Sequence, residues 1–135
     1  MGSRGTLSGI NLTSLKDAFS GSEEILGQML TLFDGQARER LAQLEASLNI
    51  WDPAGARGVL HSLVNICGAV RAYGMSEHAK AVGEAVKRED RAAAQRYAEV
   101  LQREGELVLT QVGMLLDAAQ SAPENIWNAR WPDAN

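Results

Sequence analysis

The chain has 135 residues, 45% of them hydrophobic and 22% charged, with a formal net charge of −4. A chain of about 100 to 150 residues buries roughly two-thirds of the surface it exposes when unfolded, so one compact domain is expected. The acidic balance, without a dense Lys/Arg stripe, argues against a nucleic-acid partner, and no apolar stretch approaches the roughly 20 residues that span a bilayer, so no membrane partner is expected either. The one cysteine, Cys67, cannot form an intrachain disulfide and suits a reducing compartment, which makes a cytoplasmic location the expectation. Thirteen glycines exceed the average usage of about 7%, which sits oddly with the helical pattern that follows.

Residues 1–10 are mostly small and polar and read as a flexible terminus. Asn11 opens the segment NLTSLKDAF, in which Leu12, Leu15 and Phe19 fall at helical spacing and predict a short capping helix that Gly21 ends. Ser22 is the predicted N-cap of a long second helix, with Glu23 and Glu24 at the positive end of its dipole. Ile25, Leu26, Met29, Leu30, Phe33, Ala37, Leu41, Leu44 and Leu48 recur near 3.6 and mark its inner face up to about Trp51.

Asp52-Pro53, a cap followed by proline at the first helical position, starts a third helix. This helix turns Ala56, Val59, Leu60, Leu63, Val64, Cys67 and Val70 inward and is predicted to end near Tyr73, with Gly74 as its left-handed C-cap. A fourth, shorter helix carries Met75, Ala79, Val82 and Val86. Asp90 caps a fifth, with Ala94, Tyr97, Val100 or Leu101, Val108, Val112, Leu115 and Leu116 inward, and Arg103-Glu104 reads as part of a solvated face. No run alternates as a strand would. Long helices joined by very short connections must be antiparallel, so the expectation for residues 11–120 is an all-α, up-down-up-down four-helix bundle with a short N-terminal capping helix. Residues 121–135 form a C-terminal tail, whose Trp127 and Trp131 pack on the bundle side or serve a partner.

His61 stands apart. Taking Leu60 as the centre of the inner face, His61 lies about a quarter-turn away, at the border with solvent. Ala54, Gly58, Asn65, Gly68 and Ala72 near it are small or short, and Arg57 is the one long side chain among them. Glycine inside a helix costs up to about 1 kcal/mol relative to alanine, so Gly58 and Gly68 ask for a reason, such as the close approach of another protein surface. An exposed neutral imidazole is a nucleophile that can take a phosphoryl group on Nε2 while a neighbour holds Nδ1.

On the segments LTSLKDAFSGSEEILGQMLTLFDGQARERLAQLEASL and DPAGARGVLHSLVNICGAV, residues 12–116 resemble a histidine-containing phosphotransfer domain, the relay module of multistep two-component signalling. His61, Leu63 and Gly68 match the family's pattern, whereas Val64 stands where the family has Lys, Asn65 where it usually has Gly, and Arg71 at the position of its closing Gly. The resemblance implies that His61 accepts a phosphoryl group from a receiver-domain aspartyl phosphate and passes it to another receiver. It implies no cofactor of the chain's own, Mg²⁺ residing in the partner receiver, and no kinase or hydrolase activity. The implied partners are response-regulator receiver domains and a histidine kinase or hybrid kinase, with the chain a monomer. Arg57, one turn before His61, is the candidate replacement for the missing Lys, with Arg71 second, and Arg57, Gly58, Asn65 and Gly68 are the candidate docking residues.

A second reading keeps the bundle as a receiver-binding scaffold without efficient transfer. A metal site from His61, His78, Cys67 and a carboxylate lacks any recognised ligand spacing, so no metal is expected. No Gly-x-Ser-x-Gly elbow suggests a hydrolase.

Overall fold

The computed structural model describes residues 7–129 and 131. Its elements are α1 (Leu12–Phe19), α2 (Glu23–Asn49), α3 (Pro53–Ala69), α4 (Tyr73–Lys87), α5 (Arg91–Ala118) and a closing 3-10 helix (Pro123–Asn128). α2 and α4 each pack on both α3 and α5, so the four long helices form a ring whose consecutive members are antiparallel. The core runs down the middle of this ring, with Leu26, Leu30, Leu44, Leu63, Leu101 and Leu115 among its fully buried side chains. The all-α four-helix bundle expected from periodicity is the observed fold. Ile25 and Tyr97, expected inside, are instead exposed.

The three connections within the ring repeat one device. Each helix ends in a residue with positive φ, at Trp51, Arg71 and Glu89, and none of these is glycine. The amides of Asp52, Ala72 and Asp90 donate back to the carbonyls of Ser47, Cys67 and Ala85, while those of Trp51, Arg71 and Glu89 donate to Leu48, Gly68 and Val86. This double bond pattern is the Schellman closure, which satisfies the orphan carbonyls of a helix end within three residues. Asp52 and Asp90 then accept from the amides of Gly55 and Ala93, so one residue closes one helix and caps the next.

Gly74 is therefore not the C-cap of the third helix. It lies in the first turn of α4, where a Cβ would come within 2.8 Å of Ser8. Ser22 makes no side-chain capping bond either, and the preceding amide, of Gly21, donates to the Glu23 carboxylate at 2.9 Å.

The flexible terminus expected over residues 1–10 is cut short by residues 8–10, which lie against the bundle, with Gly9 and Ile10 buried. Residues 1–6 fall outside the described region. Glu104, read from sequence as a solvated charge, is fully buried, and its carboxylate accepts from the amides of Ser8 at 3.1 Å and Gly9 at 2.7 Å. Gln111, one per cent exposed, accepts from the amide of Ile10 at 2.7 Å. Gly9 has φ +71° and a Cβ there would collide with the Gln111 amide, so this crossing needs glycine at position 9 for both its conformation and its space.

The tail closes the same end. Ile126 is fully buried, Trp127 and Trp131 are half-buried against the core, and the Trp127 indole donates to Glu23 at 2.9 Å. That bond, with the Gly21 amide, holds the Glu23 carboxyl below its ordinary value.

Candidate functional site

α3 carries His61 on its flank toward α4. Leu60, Leu63, Cys67 and Ala56 fix the inner face of the helix, which leaves His61, one residue past Leu60, exposed at the helix border. Neither ring nitrogen has a hydrogen-bond partner among the described residues, so the neighbour expected to hold Nδ1 is not part of this arrangement.

A shallow, open groove runs beside the imidazole. It is lined by Arg57, Leu60, His61 and Val64 of α3 and by Ala79, Lys80, Gly83 and Lys87 of α4. Its floor is aliphatic, its charged groups are all cationic, and no carboxylate lines it. Arg57, His61 and Val64 follow one another at i, i+4 and i+7, as Lys80, Gly83 and Lys87 do at i, i+3 and i+7, so each set is one stripe on its helix. Because the helices are antiparallel, the stripes run in opposite directions. Gly83 lies level with Leu60, whose Cδ1 would be 4.0 Å from a Cβ placed there.

The sequence-selected residues divide into two groups. Arg57 lies in the groove with His61, and Gly58 and Asn65 are exposed on the solvent side of the imidazole. Gly68 lies two turns further along the same flank. A Cβ at Gly58 or Gly68 would meet nothing within 4 Å, so no contact among the described residues accounts for either glycine. Arg71 does not join the site. It lies about 15 Å of helix rise beyond His61, past the end of α3, where its Nη1 donates to the carbonyls of Gly68 and Ala69. Its guanidinium also stands over the Phe19 ring at 5.9 Å, so its charge serves the helix end and the docking of α1.

Lys80, Gly83 and Lys87 carry no signal in the sequence that links them to His61. Their charges and spacing resemble any solvated helix face, and only the pairing of α4 with α3 brings them to His61. The second histidine, His78, is half-buried, with Nε2 3.7 Å from the Glu104 carboxylate at the N-terminal crossing. Among the described residues no group of three His, Cys, Asp or Glu side chains could hold a metal ion. Cys67 is buried in the core, and this burial, with the nearby Glu104 charge, pushes its thiol up to about 12, which leaves it a poor nucleophile. No helix of the described region is long and apolar enough to cross a membrane.

No protein-family model, curated protein or solved structure matches this chain. The functional reading therefore rests on the groove and on the resemblance in the sequence.

Proposed function

We propose that this chain is a phosphorelay intermediate in which His61 accepts a phosphoryl group from a receiver-domain aspartyl phosphate and returns it to another receiver. One observation carries the reading: the imidazole is exposed, without a hydrogen-bond partner among the described residues, and set in a groove whose charged groups are all cationic. In the forward step the Nε2 lone pair attacks phosphorus, the P–O bond to the partner's aspartate breaks, and the carboxylate leaves with the bonding pair. The proton on Nδ1 stays on the ring, so the phosphoimidazolium offsets part of the incoming negative charge. The positioning machinery and Mg²⁺ belong to the receiver, and the chain contributes a nucleophile on a rigid helix. The open space over Gly58 and Gly68 supports the reading, since a flat stripe lets a second protein approach the imidazole.

The test is to incubate the purified chain with a phosphorylated receiver. Transfer of label that is acid-labile and alkali-stable, absent from His61→Gln, supports the relay. Receiver binding without transfer of label overturns it in favour of a scaffold.

A further inference from the structure

The groove raises the question of which cations meet the phosphoryl group. We propose that Lys80 and Lys87 of α4 form a two-point clamp for the phosphoryl oxygens on His61, with the bare backbone of Gly83 leaving the room between them. This rests on the relay reading above and adds to it the residues that neutralise the phosphorylated state.

Gly83 is level with Leu60 and therefore lies across from His61, the next residue of α3. Lys80 precedes Gly83 by nearly one turn and Lys87 follows it by slightly more than one, so their stems leave α4 on either side of that level. On the antiparallel partner these levels correspond to the Val64 side and the Arg57 side of His61, respectively. Val64 itself has no charge to offer, and Lys80 lines the groove on that side. A phosphoryl group brings a charge of about −1.5 to −2 and three strong acceptor oxygens, which suits two flexible ammonium groups approaching from opposite sides.

The neighbouring carboxylates do not preclude this. Lys80 Nζ lies 3.2 Å from Glu77, but that pair is exposed at both partners and is therefore weak. Glu84 shares the α4 face but does not line the groove, and Lys87 has no ion-pair partner among the described residues. Gly83 has space for a methyl group, with only Leu60 Cδ1 at 4.0 Å, so packing inside the molecule does not demand glycine there. A larger side chain would instead fill the room across from the imidazole.

The test uses phosphoramidate, a small donor that needs no receiver. The Nε2 lone pair attacks phosphorus, the P–N bond of the N-protonated donor breaks, neutral ammonia leaves with the bonding pair, and the Nδ1 proton stays on the ring. Phosphohistidine is followed over time in the wild type, in Lys80→Met/Lys87→Met, in Lys80→Arg/Lys87→Arg and in His61→Gln. Both lysines are exposed, so the fold is expected to survive, and thermal melting checks that it does. The clamp predicts uptake about fivefold slower in the Met pair, the size expected for two exposed charge contacts. It also predicts recovery in the Arg pair and, in the Met pair, a weaker sensitivity to salt than in the wild type, since Arg57 remains in the groove. Equal rates and equal salt sensitivity in the wild type and the Met pair overturn the clamp while leaving the relay standing. A wild type that takes label from neither phosphoramidate nor a receiver overturns the relay and the clamp together.

Discussion

The two polar regions of this bundle follow opposite rules. At the N-terminal crossing, Glu104 and Gln111 are buried and the amides of residues 8–10 are their partners, so every group there has an internal use. Around the α3–α4 groove, the imidazole of His61 has no hydrogen-bond partner among the described residues, the cations lie at the surface, and on the outer flank of α3 a Cβ at Gly58 or Gly68 would meet nothing within 4 Å. A buried polar group left unsatisfied is costly, which explains the completeness of the first region. The second has no internal reason for its composition, and this contrast is what directs attention to a partner outside the chain.

The largest effect expected from breaking the first region is on stability. Glu104→Ala removes the acceptor for the buried amide of Gly9 and the partly buried amide of Ser8 and is expected to cost about 3 kcal/mol, read by urea unfolding. Glu104→Gln keeps one accepting oxygen and should cost less. Neither change should alter phosphorylation of His61 in the fraction that remains folded, and a large loss of uptake at full folding would mean that the two regions are coupled.

A smaller effect of opposite sign is expected on the outer flank of α3. Gly58→Ala and Gly68→Ala each place a methyl group in open space and should raise stability by about 0.5 to 1 kcal/mol, because alanine is the better helix former. Both should slow transfer from a receiver while leaving uptake from phosphoramidate unchanged. Stabilised variants with unimpaired transfer would remove these two positions from the docking surface.

The smallest effect concerns the tail. The Glu23 carboxyl is held low by the Trp127 indole and the Gly21 amide, so its contribution is present above the carboxyl's unfolded value, roughly pH 4, and is lost as pH falls through the folded one. Trp127 emission should therefore change on acidification below about pH 4 before the helices melt, and Glu23→Gln should abolish that step. Emission that changes only together with helix melting would show that this bond does not govern the tail.

Periodicity made the helices legible, because the apolar stripes of α2 and α5 outlast any local ambiguity. The Asp52-Pro53 and Asp90 starts were legible for the same local reason: a capping carboxylate acts within three residues. The end of α3 was not, since it closes through Arg71, which adopts a positive-φ conformation that glycine usually marks, rather than at Gly74. Glu104 and Gln111 were missed although they share a stripe with Val108 and Leu115, at i, i+4, i+7 and i+11. Their partners are backbone amides about a hundred residues away, which no local pattern encodes. His61 could be singled out from one helix alone, whereas Lys80 and Lys87 needed the register between two. Part of the glycine excess likewise resolves in three dimensions: Gly9 and Gly74 make way for the N-terminal crossing, and Gly105 for Leu41, while Gly58 and Gly68, like Gly27, Gly35 and Gly113, border open space.

The most direct test is the stoichiometry and position of phosphoryl transferred from a phosphorylated receiver to wild type, His61→Gln and His78→Gln. The account predicts up to one phosphoryl group per chain in the wild type and in His78→Gln, and none in His61→Gln. Label that survives in His61→Gln, or that never appears in a wild type able to bind the receiver, would contradict it.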